Sequence, residues 1–208
     1  MLENKLGITD STELARMEEK ISKQKALEMF ESGFFETLEP GTYQSLAMIH
    51  QYLFDEIYDF SGKLRKVSIS KGNFRFAPLM YLEAALQSID KMPQSTFDEI
   101  VEKYVEMNVA HPFREGNTRA TAVFMIKYMK TFGFKVNNDV FEKNSWYFRN
   151  ALVRANYNNL QNGVHVTTKF LEMFFSNLLL GTEYELKNRY MHVDYADTEK
   201  FQSLNLTL

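Results

Sequence analysis

The sequence contains no cysteine, and it has only four prolines and nine glycines in 208 residues. Without thiols there is no disulfide framework, no cysteine nucleophile and no zinc–thiolate site. The low proline and glycine content excludes collagen-like and low-complexity chains. No stretch reaches the roughly 18 apolar residues of a membrane span, and the N-terminus lacks the apolar run of a secretory signal. We therefore expect no membrane association and a cytoplasmic location.

Neither sign of charge dominates the chain. Its 24 basic residues stand against 27 acidic ones, which leaves a net charge of −3 and no positive field to attract nucleic acid. We therefore expect no nucleic-acid partner. Hydrophobic residues make up 45% of the chain, with 18 Phe and 11 Tyr, enough for the core of one domain. We expect a single domain over residues 1–193, including an N-terminal helix, and a polar tail over 194–208.

The spacing of the apolar residues predicts an all-α bundle. Helical periodicity is found over residues 11–32, 43–60, 80–92, 97–110, 118–131, 145–157 and 168–180. Between residues 63 and 77 the pattern changes to alternation, with a turn at 71–73, which predicts a short β-hairpin. Seven helices and one hairpin indicate helix-on-helix packing.

One polar segment, from His111 to Arg119, lies between an amphipathic helix and the most apolar helix of the chain. Gly116 permits a positive φ angle, and the N-terminus of the following helix offers amide groups that favour phosphate. Arg119 adds a forked cation. Glu115 fits beside phosphates when a divalent cation lies between them. The segment therefore predicts a site for a metal-bound di- or triphosphate.

His111 lies at the other end of this segment. Imidazole titrates closest to neutral pH among side chains, so His111 can take a proton from an incoming hydroxyl group. This indicates transfer of a phosphorus group to an alcohol. The alternative is structural, because a histidine before proline is commonly a helix cap and an Arg–Glu pair in a loop is commonly a solvated ion pair. The residues alone leave the two interpretations evenly matched.

The segment reads His-Pro-Phe-Arg-Glu-Gly-Asn-Thr-Arg and resembles the signature of the Fic family, His-Pro-Phe-x-(Asp/Glu)-Gly-Asn-(Gly/Lys)-Arg-x-x-Arg. Residues 57–65 are similar to the segment that enters the family's hairpin, called the flap. The resemblance implies a Fic-type helical bundle with the flap beside the active-site loop. It also implies a protein adenylyltransferase (AMPylator), which transfers AMP from ATP to a Ser, Thr or Tyr hydroxyl of a target protein and to itself, and releases pyrophosphate.

The resemblance also implies roles for individual residues. His111 would be the general base, Glu115 would hold Mg²⁺ on ATP, and Arg119 would bind the β-phosphate. The anion cradle would consist of Gly116, Asn117 and Thr118. The flap residues that pair with an extended target segment would be Ile69, Ser70, Lys71 and Gly72. Candidate neighbours of the base or ribose, for which helix packing is an equally good interpretation, are Tyr147, Phe148 and Asn156.

The chain departs from the family signature at two positions. Thr118 replaces Gly, and a β-branched residue tolerates positive φ poorly. The family's Lys variant, associated with phosphorylation, is absent. Ala122 replaces the final Arg, which in the family engages the γ-phosphate and, in silenced members, an inhibitory glutamate. Residues 32–36, from Ser32 to Glu36, resemble the first five positions of the family's inhibitory motif, (Ser/Thr)-x-x-x-Glu-(Gly/Asn), and Thr37 does not fit the sixth. Without the arginine we expect weak inhibition at most.

Two alternatives to adenylylation are left open by the sequence. One is another nucleotidyl or phosphoryl transfer in the same site, and the other is a non-catalytic nucleotide-binding module. The target protein, the modified residue and the formation of a homo-oligomer are also left open. The remaining histidines, His50 among them, receive no functional assignment.

Overall fold

The computed structural model describes residues 2–71, 74–131, 133, 143–156 and 158–192. Within these ranges it holds seven α-helices: α1 Ser11–Glu31, α2 Tyr43–Phe54, α3 Leu82–Asp90, α4 Phe97–Ala110, α5 Asn117–Thr131, α6 Ser145–Arg154 and α7 Lys169–Leu180. The predicted helical architecture is confirmed. The tail predicted over 194–208 lies outside the described residues. No helix in the described part of the chain has the length and apolar content needed to cross a membrane.

Local capping signals start three of the helices where the sequence predicts. The side chains of Asp10 and Thr42 accept the backbone N–H groups of residues three positions ahead, at the starts of α1 and α2. Thr96 and Glu99 form a reciprocal capping box at the start of α4. Each cap contributes about 1 kcal/mol, because it satisfies a backbone donor that the first turn leaves without a partner.

Helix α2 is shorter than its apolar stripe predicts. It ends at Phe54, and the predicted continuation to Phe60 is wrong. The Ile57 N–H donates to the Phe54 carbonyl at 3.0 Å in a tight turn, and the Gly62 N–H reaches back to the His50 Nδ1 atom at 2.9 Å. The apolar residues after Phe54 are therefore buried from a turn that folds back on the helix, and periodicity alone does not distinguish the two cases.

The hairpin region contains two short antiparallel strands, β1 Ser70–Lys71 and β2 Phe74–Arg75. Alternation from Val67 to Phe76 predicts longer strands. Beyond the strands, the Phe76 N–H donates to the Ile69 carbonyl at 3.4 Å, and the carbonyl groups of Val67 and Ala77 accept hydrogen bonds from the Arg65 guanidinium. The role of this segment as a flap stays a prediction.

Helix α5 lies between two hydrophobic clusters. Ala120, Val123 and Phe124 belong to a cluster with α1, α2 and α3. On its other side, Met125 and Ile126 belong to a cluster with α4, α6 and α7. Eleven of its 15 residues are buried, as its apolar composition favours. The polar segment is therefore followed directly by a helix that is buried over most of its length.

Candidate active site

His111 ends helix α4 in a left-handed conformation, with φ 46° and ψ 62°. Such a conformation costs a non-glycine residue about 1–3 kcal/mol and is commonly found at functional sites. The Nδ1 atom lies 2.7 Å from the Asn108 carbonyl oxygen. Because a carbonyl only accepts, Nδ1 carries the ring proton, and the neutral ring keeps its lone pair on Nε2. A general base needs this tautomer.

The ring of Phe76 fixes the plane of the imidazole. The two rings stack with centroids 3.7 Å apart and planes inclined by 13°. Phe76 directly follows strand β2, so the hairpin segment and the end of α4 meet at this stack. The orientation of His111 is therefore set by contacts from two separate parts of the chain.

The loop after His111 is anchored by Phe113 and Asn117. Phe113 is fully buried and stacks on His50 with ring centroids 3.8 Å apart. The Asn117 Oδ1 atom accepts the Phe113 N–H, and its Nδ2 atom donates to the Phe113 carbonyl, both at 2.8 Å. The side chain of Asn117 thus braces the loop, and its part in phosphate binding stays a prediction.

Gly116 carries the positive φ that the loop requires, at +75°. A Cβ atom here would lie 2.6 Å from the Phe54 ring, so only glycine fits. Helix α5 already begins at Asn117, so Thr118 is an ordinary helical residue and the expected conflict with positive φ does not arise. The Gly116 N–H donates to the Glu115 Oε1 atom at 3.0 Å. An anionic oxygen is thereby bound at the N-terminus of α5.

Arg119 is ion-paired to a carboxylate that the sequence does not point to. Glu18, on the buried side of α1, accepts hydrogen bonds from Arg119 and from the Tyr58 hydroxyl. Arg119 also donates to the Ser22 hydroxyl at 2.9 Å. These bonds use two of the five N–H groups of a guanidinium. Burial raises the pKa of Glu18, while Arg119 and Tyr58 favour its charged form.

The His50 side chain supports the backbone of the loop through a hydrogen bond to Glu115. The Gly62 N–H donates to its Nδ1 atom at 2.9 Å, so Nε2 carries the proton and donates to the Glu115 carbonyl, also at 2.9 Å. Burial lowers the pKa of His50 to about 4, and the ring is neutral at physiological pH. The sequence signal for a buried His50 is its position on the apolar face of α2, beside Leu46, Ile49 and Leu53.

His111, Glu115, Arg119 and Glu18 line one cavity of about 620 Å³, a volume typical of small-molecule sites. Its lining includes six of the predicted site residues: Ile69, Ser70, His111, Glu115, Asn117 and Arg119. Helix α1 and the N-terminal segment form one wall, with Leu2, Ser11, Leu14, Ala15 and Glu18. Lys71 lies in β1, and Gly72 lies outside the described residues.

The predicted base or ribose contacts do not line this cavity. Tyr147 and Phe148 are buried in the second hydrophobic cluster, where both rings pack against Phe174. The Asn156 side chain donates to the Leu152 carbonyl at 3.0 Å. All three side chains thus make helix-packing contacts, and their role as neighbours of the base or ribose stays a prediction.

The predicted inhibitory motif also lies away from the cavity. Ser32 ends α1 as its C-cap, and Glu36 lies in the 3₁₀ turn Phe34–Thr37. The Glu36 carboxylate is 80% exposed and pairs with Lys127 at 3.4 Å. The carboxylate that α1 does place in the cavity is Glu18.

The N-terminus of α5 thus lies beside three functional groups: the imidazole of His111 with its lone pair on Nε2, the carboxylate of Glu115 and the guanidinium of Arg119. This arrangement suits the binding of a phosphate ester and an acceptor hydroxyl. Residues 40–129, from before α2 to the last turns of α5, match the Fic/DOC family.

Among its relatives, the probable protein adenylyltransferase y4lH of Sinorhizobium fredii is 27% identical over 167 residues, which are 74% of this chain and 83% of that protein. The protein adenylyltransferase VbhT of Bartonella schoenbuchensis is 29% identical over 154 residues, 67% of this chain but only 31% of VbhT. The crystal structure of BepC from Bartonella tribocorum with bound AMPPNP has a TM-score of 0.65 at 21% identity, and covers 86% of this chain and 91% of that one.

Proposed function

We propose that this protein is an adenylyltransferase that transfers AMP from ATP to a Ser, Thr or Tyr hydroxyl of a target protein, and to itself. The relatives y4lH and VbhT carry the name protein adenylyltransferase, and BepC binds the ATP analogue AMPPNP. The observation that carries the proposal is the His111 tautomer. Its Nε2 lone pair belongs to a ring that lines the same cavity as the N-terminal turn of α5.

The triphosphate would bind between the N-terminus of α5 and Arg119. The positive end of the helix dipole and the Gly116 amide favour phosphate oxygens, as the bound Glu115 oxygen illustrates. Arg119 would use the N–H groups that its bonds to Glu18 and Ser22 do not occupy. Gly116 and Thr118 would contribute through their backbone only.

Mg²⁺ would reach the site with the nucleotide. The described residues hold no cluster of three or more His, Asp or Glu side chains that could retain a metal ion alone. Magnesium is commonly bound by one or two carboxylates together with substrate phosphates and water. Glu115 lines the cavity and fits this mode, and the ion would neutralise phosphate charge there.

In the transfer step, the acceptor hydroxyl oxygen would attack the α-phosphorus of ATP while the Nε2 atom of His111 takes its proton. The bond to the bridging oxygen of the β-phosphate would break, and pyrophosphate would leave. Proton removal by a positioned base contributes about 10²–10⁴-fold to such rates. The acceptor segment would pair with the hairpin at residues 69–72 as an added strand, which places its hydroxyl beside the cavity.

Labelled ATP separates this proposal from its alternatives. We expect wild-type protein to acquire label from α-labelled ATP and none from γ-labelled ATP. Label from the γ-position would indicate phosphoryl transfer. ATP-stabilised melting without any label would indicate a non-catalytic module, and label from CTP, GTP or UTP in preference to ATP would indicate a different donor.

Two histidine variants complete this experiment. His111→Ala should bind ATP and transfer no label. His165→Ala changes an exposed histidine outside the cavity and should transfer label at the wild-type rate.

A further inference from the structure

Arg65 lies between α2 and the hairpin, and its side chain is only 3% exposed. Its guanidinium donates four hydrogen bonds, all to backbone carbonyl groups. The Nε atom donates to His111 at 2.8 Å, one terminal nitrogen donates to Val67 at 2.8 Å, and the other donates to Ala77 and to Ala110. Among the described residues, no carboxylate lies within ion-pair distance of it.

These four carbonyl groups come from two parts of the site. Val67 and Ala77 lie on either side of the strand pair, and Ala110 and His111 form the end of α4. Two backbone bonds reinforce the connection: the Arg65 N–H donates to the Pro112 carbonyl at 2.8 Å, and the Ala77 N–H donates to the Val109 carbonyl at 3.3 Å. One side chain therefore joins both ends of the hairpin segment to the helix end that carries His111.

The chemistry of the guanidinium suits this position. The last carbonyl groups of a helix have no partner within the helix and carry partial negative charge, so a cation there is favourable. The planar guanidinium offers five N–H groups in fixed directions, whereas an ammonium offers three from a single point. A lysine could not reach four carbonyl groups from two segments in the same geometry.

Phe76 completes the connection to the imidazole. It is the residue before Ala77, whose carbonyl is bound by Arg65, and its ring stacks on His111. The His111 carbonyl is held by the same guanidinium. Arg65 thus restrains both the backbone of His111, in its left-handed conformation, and the ring that covers its imidazole.

We propose that Arg65 is a positioning residue for AMP transfer, which holds the His111 imidazole and the hairpin that receives the acceptor segment in one fixed arrangement. This inference rests on the proposed function. Arg65 does not line the cavity, so its contribution falls on the transfer step and leaves nucleotide binding largely intact.

The variants Arg65→Lys and Arg65→Ala test this inference by steady-state kinetics of AMP transfer. We expect kcat to fall about 100-fold in both, since small displacements of a catalytic group cost rates of this order, while the KM for ATP stays within about threefold. Added guanidinium chloride at low millimolar concentration should restore activity to Arg65→Ala and leave Arg65→Lys unchanged.

A matched control is Arg154→Lys. Arg154 is also buried and also donates to a loop carbonyl, that of His165, but it lies away from the cavity. Arg154→Lys should lose stability and keep kcat per folded molecule. If Arg65→Lys behaved in the same way, or if its loss appeared in the KM for ATP alone, the proposed positioning role would be overturned.

A second readout does not depend on activity. The stacked Phe76 ring should shift the His111 ring-proton resonances upfield, and these are assignable among four histidines by their loss in His111→Gln. In folded Arg65→Lys this upfield shift should be lost, and its retention would overturn the inference. A wild-type protein that transfers no AMP would instead contradict the proposed function, and the resonance test would still decide the role of Arg65.

Discussion

Protonation of His50 should destabilise the fold and release the active-site loop. The Gly62 N–H donates to Nδ1, so a proton added at Nδ1 would face that donor and break the bond. Burial lowers the pKa of His50 from 6.5 to about 4. The unfolded chain therefore binds this proton more readily than the folded chain does. The stabilisation that comes from a neutral His50 is complete above pH 6.5 and is lost as the pH falls to about 4.

The size of the effect follows from the pKa shift. Each pKa unit corresponds to about 1.4 kcal/mol. The free energy of unfolding should therefore fall by about 3 kcal/mol between about pH 7.5 and about pH 4 through His50 alone. Domains of this size are stable by about 5–15 kcal/mol, so the loss is a substantial fraction of the total.

Urea unfolding across this pH range measures the effect in wild type, His50→Gln and His165→Gln. Glutamine at position 50 does not titrate, so the variant should be less stable at neutral pH but lose about 3 kcal/mol less in acid. His165 has an exposed ring, and its variant should follow the wild type. An acid-induced loss in His50→Gln as large as that of the wild type would refute the assignment of a buried, neutral His50.

Three further substitutions test other contacts. Gly116→Ala should lower the free energy of unfolding by about 2–4 kcal/mol, because it adds a clash with Phe54 to the strain of positive φ. Gly33→Ala, at a φ of +72° with no atom near the added Cβ, should show the cost of the strain alone. Equal costs in the two variants would contradict the clash. Glu18→Gln should cost about 3 kcal/mol without nucleotide and less with Mg-ATP, since phosphate oxygens can replace the carboxylate beside Arg119; an equal cost in both states would argue against phosphate at Arg119. Glu36→Ala should change self-modification by less than about twofold, because its ion pair is exposed, and a rise above about tenfold would show that Glu36 inhibits after all.

The parts of the fold that the sequence predicts well are those decided by local interactions. The caps at Asp10, Thr42 and Thr96 depend on side chains within three residues of the groups they bind. The end of α4 before Pro112 and the positive φ of Gly116 are also local properties. The segment that carries the candidate site is recognisable from the sequence because its loop residues are consecutive in the chain.

The contacts that complete the site could not be read from local patterns. Glu18 and Arg119 are 101 positions apart, and Arg65 reaches carbonyl groups 45 and 46 positions away. Aromatic side chains suit stacking on a nucleotide base and a hydrophobic core equally well, so the sequence does not reveal that Tyr147 and Phe148 pack against Phe174 of α7. The two hydrogen bonds by which the Asn117 side chain braces the loop at Phe113 also depend on the folded path of the loop, which the sequence pattern does not describe.

Intact-mass spectrometry of wild type and His111→Gln after incubation with Mg-ATP tests the central claim most directly. We expect wild-type molecules to gain the mass of AMP and His111→Gln to gain none, while ATP raises the melting temperature of both proteins equally. Addition of AMP to His111→Gln at the wild-type rate, or no addition to the wild type, would contradict the assignment of His111 as the base that activates the acceptor hydroxyl.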